Sequence, residues 1–110
     1  MMGLILHPKV YSDIDKIMER YERVATPQLA DEFYAELRRF MAEAAKRPES
    51  FSIRERDIRR VNLERFPYHF LFRIAGDTVR VLVVRHHRRH PSLTSSRSGS
   101  DRGRNRFLRR

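Results

Sequence analysis

One stretch of the sequence decides the fold: residues 60–91, which read RVNLERFPYHFLFRIAGDTVRVLVVRHHRRHP. Two runs rich in β-branched and aromatic residues lie on either side of Gly76-Asp77, and such runs are typical of β-strands. A two-residue connection that contains glycine favours a tight primed turn, because glycine tolerates a positive φ. The stretch therefore predicts a β-hairpin that ends in a cationic cluster.

The position of this turn sets the register of the predicted hairpin. Three pairs face each other across it: Ile74 and Val79, Phe72 and Val81, and Phe70 and Val83. Alternate residues of a strand share a face, so the core face carries Tyr68, Phe70, Phe72 and Ile74. The other face, which we call the second face, carries His69, Leu71, Arg73, Arg80, Leu82, Val84 and His86. It is either a binding surface or an ordinary half-exposed sheet face.

The basic charge is concentrated toward the end of the chain. Residues 1–52 hold eight Lys and Arg against nine Asp and Glu, residues 53–84 hold seven against four, and residues 85–110 hold nine against one. The 110-residue chain has a net charge of +10, and 21 of its 24 basic residues are arginine. Because guanidinium groups pair bidentately with phosphate and carboxylate, this bias indicates an anionic partner, either nucleic acid or an acidic protein.

Other features of the composition narrow the class of protein. The sequence has no cysteine, so it can form neither a disulfide framework nor a thiolate metal site, and a reducing cytoplasm fits. It also lacks an apolar run of membrane-spanning length and the pattern of a signal peptide. We therefore expect a cytoplasmic protein with no membrane partner.

Two amphipathic helices are predicted before the hairpin, after a short strand at Leu4–His7 that Pro8 ends. The apolar residues of the first helix recur on one face: Val10, Ile14, Ile17, Met18, Tyr21 and Val24. Thr26-Pro27 signals a new helix, since Thr caps exposed amides and Pro is tolerated in the first turn. The second helix runs to about Lys46, and its inner face consists of Ala30, Phe33, Leu37, Phe40, Met41 and Ala44.

The order of elements defines the expected architecture. Residues 49–57 are predicted to form a loop that leads into a strand from about Ile58 to Leu63. The resulting β-α-α-β-β-β order predicts an α+β domain, in which a two-helix hairpin packs on a mainly antiparallel sheet of about four strands. This domain is expected to span residues 1–91. Residues 92–110 are rich in Ser, Gly and Arg, which is typical of a basic flexible tail.

The hairpin also carries a family resemblance. Phe66-Pro67-Tyr68 precedes the penultimate strand and a His-x-Arg-Arg-x-Pro sequence occupies residues 86–91. With the order of elements, these residues resemble the RelE/ParE superfamily, the toxins of type II toxin–antitoxin modules. The resemblance covers roughly residues 4–93, in residues along the hairpin and only in pattern along the helices. It implies a compact toxin that inhibits growth, is neutralised by a cognate antitoxin and has plasmid stabilisation among its expected roles.

Members of the RelE/ParE superfamily divide by the cellular target that they attack. RelE-like members cut mRNA on the ribosome with basic residues on the sheet face and often a C-terminal Tyr, whereas ParE-like members inhibit DNA gyrase and lack that set. Here His69 stands where RelE-like nucleases usually carry an arginine, and no Tyr or Trp follows Tyr68. The ParE-like interpretation is therefore favoured. If the chain is instead a nuclease, its site would consist of His69, Arg73, Arg85, Arg88 and Arg89, with His86 or His87 as further groups able to exchange protons.

Three functional expectations follow. The first is inhibition of DNA gyrase, with ribosome-dependent mRNA cleavage or a non-toxic nucleic-acid-binding module as alternatives. The second is an antitoxin surface formed by the outer edge of the helical hairpin and by Leu71, Arg73, Arg80, Leu82 and Val84 on the second face. The third is the absence of a cofactor or metal, because adjacent histidines at 86 and 87 point to opposite faces of a strand and arginines surround them.

Acidic pairs near the helix starts need no catalytic role. Asp13 and Asp15, and likewise Asp31 and Glu32, lie at or near predicted N-terminal turns, where the helix dipole accounts for them.

Overall fold

The computed structural model describes residues 2–87. In chain order its strands and helices are β1 (Gly3–Leu6), α1 (Pro8–Val24), α2 (Pro27–Lys46), β2 (Ile53–Glu55), β3 (Ile58–Asn62), β4 (Tyr68–Ala75) and β5 (Thr78–His86). The strands form one sheet in the order β1-β5-β4-β3-β2. Strand β1 runs parallel to β5, and the other neighbouring pairs are antiparallel. Arg88, Arg89 and the predicted tail lie outside the described residues.

This architecture confirms the predicted α+β fold, in which two helices pack on a mainly antiparallel sheet. The described range contains five strands where about four were expected. The difference is β2, which lies inside the predicted loop at residues 49–57 and pairs with β3. It is only three residues long, and a tight turn with Arg56 at φ 54° connects it to β3. A strand this short carries no readable alternation, which is why periodicity misses it.

A side chain caps the start of each helix, at the predicted Thr26 for α2 and at His7, which was not predicted, for α1. His7 Nδ1 accepts a hydrogen bond from the Lys9 amide at 3.0 Å, so α1 starts at Pro8, two residues before the predicted apolar face. Thr26 Oγ1 accepts from the Leu29 amide at 3.0 Å, and α2 ends at Lys46 as expected. Proline occupies the first turn of both helices, where its missing N–H costs no intrahelical bond.

The core lies between the helical hairpin and one face of the sheet. Tyr68, Phe70 and Phe72 of β4 are buried there, and Ile74 packs against their edge, as the alternation predicts. The helices contribute Val10, Ile14, Ile17, Phe33, Leu37, Met41 and Ala44. Val24 does not belong to this face, because it is the last residue of α1 and is 61% exposed.

The hairpin turn forms at Gly76-Asp77. Ala75 pairs with Thr78 across it, and Gly76 has φ 63°. Among the described residues the other positive φ belongs to Arg56, so only the first turn position is left-handed, as in a type II′ turn. The pairs Ile74–Val79, Arg73–Arg80 and Phe72–Val81 then follow in the predicted register.

Beyond Val81 the predicted register is wrong, because β5 contains a β-bulge. Leu71 pairs with Val83 and Phe72 with Val81, which leaves Leu82 as an extra residue. Phe70 therefore faces Val84, not Val83. After the bulge the alternation of β5 is inverted relative to the prediction. Val84 is buried in the core and His86 lies against Tyr68 on the core face, so neither residue belongs to the second face.

Two carboxylates on the helices hold strands and loops in place. Asp13 Oδ2 accepts a hydrogen bond from the Val84 amide at 3.0 Å, just beyond the bulge. Glu36 is only 5% exposed, and its Oε2 accepts from the amides of Glu64 and Arg65 at 2.7 and 2.9 Å. Neither helix has an acidic residue in its first turn, so the helix-dipole account of the acidic pairs is wrong for this structure.

Candidate functional site

Four side chains from three neighbouring strands meet at one end of the second face. His69 of β4 lies between Asn62 of β3 and Arg85 of β5 in the sheet register. His87 follows the end of β5, and Arg60 lies two residues before Asn62 on β3. We call His69, His87, Arg85 and Arg60 the His–Arg cluster. The bulge at Leu82 creates it, because without the inverted alternation Arg85 would face the core.

Direct contacts join the members of the His–Arg cluster. His69 Nδ1 lies 2.9 Å from His87 Nδ1, and the two ring planes are within 10° of parallel. Arg85 Nε donates to His69 Nε2 at 3.0 Å. Arg60 Nη2 lies 3.4 Å from His87 Nδ1, and its Nε donates to Asn62 Oδ1 at 2.8 Å.

These contacts fix the tautomers of both histidines. Because a guanidinium Nε–H can only donate, His69 Nε2 accepts, and the proton of the neutral His69 ring is on Nδ1. His69 Nδ1–H then donates to His87 Nδ1, whose own proton is on Nε2. This assignment also leaves His87 Nδ1 as the acceptor that Arg60 approaches. The pair is thus neutral, although histidine on its own titrates near neutral pH.

The electrostatics favour the neutral form of His87 and leave the positive charges of Arg60 and Arg85 close to the histidine pair. Desolvation, followed by the nearby charge of Arg60, lowers the pKa of His87. Desolvation lowers the pKa of Arg85, and desolvation together with the charges of Arg54 and Arg85 lowers that of Arg60. Guanidinium groups stay charged despite such shifts. The cluster is therefore a concentration of positive charge.

The cluster is held in place from behind the sheet. The His87 amide donates to the Pro67 carbonyl at 2.9 Å, which fixes the end of β5 against the start of β4. Pro67 belongs to the loop between β3 and β4, and Glu36 binds the amides at the beginning of that loop. A buried carboxylate of α2 thus helps to position a histidine on the opposite face of the sheet.

The structure brings together only part of the predicted nuclease set. His69 contacts Arg85 and is 2% exposed, so it is much more buried than a catalytic group open to RNA. Arg73 lies four residues further along β4, roughly 13 Å away at the usual rise of a strand, and its guanidinium binds Asp57 at 3.0 Å. Arg88 and Arg89 lie outside the described residues.

Two residues of the cluster are not predicted correctly from the sequence. Arg60 is absent from the predicted site, and His87 is only an optional member of it. Arg60 precedes the buried Val61 on β3, and Asn62 after it shares the second face with Arg60. This alternation was the available signal for Arg60. His87 depends on the bulge, which the predicted register does not contain.

The predicted antitoxin residues are distributed over different environments. Leu71 and Leu82 are half-buried, and Arg73 and Arg80 are exposed and directly opposite each other. Val84 is 3% exposed and lies in the core, so it cannot contribute to a surface. The second face therefore offers a small apolar area between charged residues.

A second candidate surface is a groove between the helical hairpin and the edge strand β1. It has a volume of about 510 Å³ and is lined by Leu4, Leu6, Tyr11, Ile14, Asp15, Met18, Tyr34, Leu37, Arg38, Met41 and Ala42. Tyr11 and Tyr34 are 58% and 39% exposed. Strand β1 lies at the edge of the sheet, and its Leu4 and Ile5 are 42% and 45% exposed. Exposed large apolar side chains that adjoin a groove are typical of a protein-binding surface.

Comparison with solved structures identifies the fold. The chain superposes on the chromosomal ParDE TA system from P. aeruginosa with a TM-score of 0.70 at 22% identity, covering 78% of this chain and 96% of that one. It superposes on the isolated E. coli RelE toxin with a TM-score of 0.55 at 14% identity, covering 89% and 88%. The intact E. coli RelBE toxin-antitoxin complex gives a TM-score of 0.53 at 15% identity, covering 76% and 94%. The fold is that of RelE- and ParE-type proteins.

The sequence itself gives the family. Residues 4–91 match the family described as ParE toxin of type II toxin-antitoxin system, parDE. This match covers most of the chain, and the chain belongs to the ParE toxin family. No functionally curated protein matches the sequence closely. Within residues 2–87, neither helix has the length and apolar character needed to cross a membrane.

Proposed function

We propose that the chain arrests bacterial growth by inhibiting DNA gyrase and that a cognate antitoxin neutralises it. Membership of the ParE toxin family over residues 4–91 is the observation that carries this proposal. The geometry of the sheet supports it, because the described residues do not assemble the predicted nuclease set: His69 is buried, and Arg73 is paired with Asp57 well away from it. On this proposal no residue of the chain is catalytic.

A supercoiling assay tests the gyrase proposal. The purified full chain, titrated into gyrase and relaxed plasmid, should abolish supercoiling, and relaxation by a type I topoisomerase serves as the control. In cells, pulse-labelling minutes after induction should show loss of DNA synthesis before loss of protein synthesis. Unaffected gyrase together with an early loss of translation would contradict the proposal. If neither synthesis falls, the chain would be a non-toxic binding module.

The His–Arg cluster gives specific support to one alternative, a ribosome-dependent mRNA endonuclease. Two imidazoles and two guanidiniums in contact are groups that can move protons and stabilise a phosphorane. The alternative predicts cleaved mRNA in programmed ribosomes, and it predicts that His69→Gln removes the cleavage. If the chain acts only by inhibiting gyrase, we expect neither cleaved mRNA nor an effect of His69→Gln on cleavage.

We assign the antitoxin contact to the groove on the helical hairpin, together with the exposed edge at β1 and the apolar part of the second face. The occupant is an acidic amphipathic segment of the antitoxin. Its apolar side fits the exposed Leu4, Tyr11 and Tyr34, and its acidic side complements a chain of net charge +10. One of the similar structures, that of E. coli RelBE, is itself a toxin-antitoxin complex.

Paired substitutions locate the antitoxin contact. Tyr11→Asp and Tyr34→Asp place charges in the groove, while Leu71→Asp and Leu82→Asp place them on the second face. Each change is expected to weaken antitoxin binding at least tenfold in a titration, because a charge would be buried without a partner. Val24→Asp, at an exposed position outside the groove, is the matched control. Unchanged affinity for either pair would remove that surface from the assignment.

A further inference from the structure

His69 has no ring nitrogen available for an additional proton. It is 2% exposed, its Nε2 accepts from Arg85, and its Nδ1–H donates to His87. One proton on each ring satisfies both contacts. Arginines on the neighbouring strands lie close to the pair: the charge of Arg60 on β3 lowers the pKa of His87, Arg85 on β5 contacts His69, and Arg54 of β2 acts on Arg60.

An extra proton on the pair must break one of these contacts. If it binds His87 Nδ1, two N–H groups meet at a nitrogen separation of 2.9 Å, and the histidines must separate. If His69 instead moves its own proton to Nε2 to accept from His87, that N–H meets Arg85 Nε–H, and the arginine must leave. In both routes the new N–H on His87 Nδ1 also faces Arg60 Nη2, 3.4 Å away, so Arg60 must turn aside. The second route nevertheless preserves the bond between the two rings.

Release of Arg85 from His69 would make its Nε–H and its η N–H groups available together to bind an anion. In the neutral state its Nε is occupied by His69, and within residues 2–87 its two η nitrogens form no hydrogen bond to the protein. A guanidinium binds a planar oxyanion best through Nε and one η nitrogen together. Protonation of the histidines would therefore supply both a positive charge and the bidentate edge of an arginine.

We propose that His69, His87 and Arg85 form a proton-linked site for one carboxylate of a protein partner, which binds Arg85 as the histidine pair takes up one proton from solvent. The surroundings favour a protein carboxylate over a nucleic-acid phosphate. Leu71 and Val83 adjoin the cluster on the same face, and the next arginine along β4 is already paired with Asp57. This arrangement suits a single anion on an apolar peptide better than a row of phosphates.

Proton uptake makes affinity depend on pH in a defined direction. A bound carboxylate raises the pKa of the pair, so binding strengthens as pH falls toward the pKa of the ligand-free pair. Uptake of one proton corresponds to a change of up to about tenfold in affinity per pH unit within that window. The proposal does not depend on the cellular target, because it concerns a site that can be tested with a small anion.

Imidazole NMR on the full chain tests the proposal, with acetate as the probe. Near neutral pH, His69 should carry its proton on Nδ1 and His87 on Nε2. Acetate should raise the pKa of the pair, and its affinity should rise several-fold per unit as pH falls from about 7.5 to 6. A proton on His69 Nε2 in the absence of acetate, or acetate binding that does not change with pH, would overturn the proposal.

Variants and a second probe sharpen the result. His69→Gln should abolish the pH dependence, and Arg85→Gln should abolish acetate binding at the histidines. His86→Gln, on the same strand but the core face, should retain both properties. Dimethyl phosphate that binds more tightly than acetate would reassign the site to nucleic acid and overturn the choice of a protein carboxylate. The tautomer measurement requires no variant, so a misfolded substitution does not prevent the test.

Discussion

At the residue scale, two charged side chains have structural roles that sequence reasoning does not predict. Asp13 binds an amide 71 positions away, and Glu36 binds a loop 28 and 29 positions away. Acidic residues on amphipathic helices normally face water, and nothing in the local pattern distinguishes these two. Such pairings depend on tertiary placement, so they lie beyond the reach of periodicity and capping rules.

Replacement of Asp13 provides the residue-scale test. Asp13→Ala removes the acceptor for the Val84 amide and the ion pair with Lys9, and it should lower the free energy of unfolding by about 1–3 kcal/mol. Asp15→Ala, at an exposed position on the same helix, is the control and should change stability by less than about 0.5 kcal/mol. Urea unfolding of the two variants checks the difference. Equal losses would show that the Val84 contact contributes little.

At the element scale, the turn and the first half of the hairpin are predictable and the second half is not. Gly76-Asp77 sets the register as far as Phe72–Val81, because a two-residue turn permits only one pairing. The bulge then adds one residue to β5 and inverts its faces. A signal was present, since strict alternation would have buried Arg85 in the core. The candidate site depended on this detail, so it was predicted less completely than the fold.

Deletion of single residues tests the bulge. Deletion of Leu82 would remove the bulge and keep the pairs Leu71–Val83 and Phe70–Val84, now in a regular ladder. The variant should therefore fold and retain the contact between His69 and Arg85. Deletion of Leu71, on the unbulged strand, should abolish folding because it moves Phe70 off the core face. Circular dichroism melts report folding, and imidazole NMR reports the histidine contacts. A folded Leu71 deletion would contradict this register.

At the scale of the whole molecule, the histidine cluster makes folding sensitive to acid. The pKa of His87 is lowered from its usual 6.5 in the folded chain, so below about pH 6.5 the unfolded chain binds more protons than the folded one. Stability should therefore fall as pH drops through that value, and the loss from this group should stop below its folded pKa. Thermal melts from neutral to acidic pH should show a smaller decline for His87→Gln than for the parent chain. Identical declines would contradict this assignment.

The edge position of β1 affects how the isolated chain behaves in solution. Among residues 2–87, no strand pairs with the outer side of β1, and its Leu4 and Ile5 are 42% and 45% exposed. An uncovered apolar edge can add a strand from another molecule, and it is a recognised starting point for aggregation. The high positive charge opposes such association at low salt, but added electrolyte screens that repulsion. Preparations of the chain without a partner should therefore lose colloidal stability as ionic strength rises.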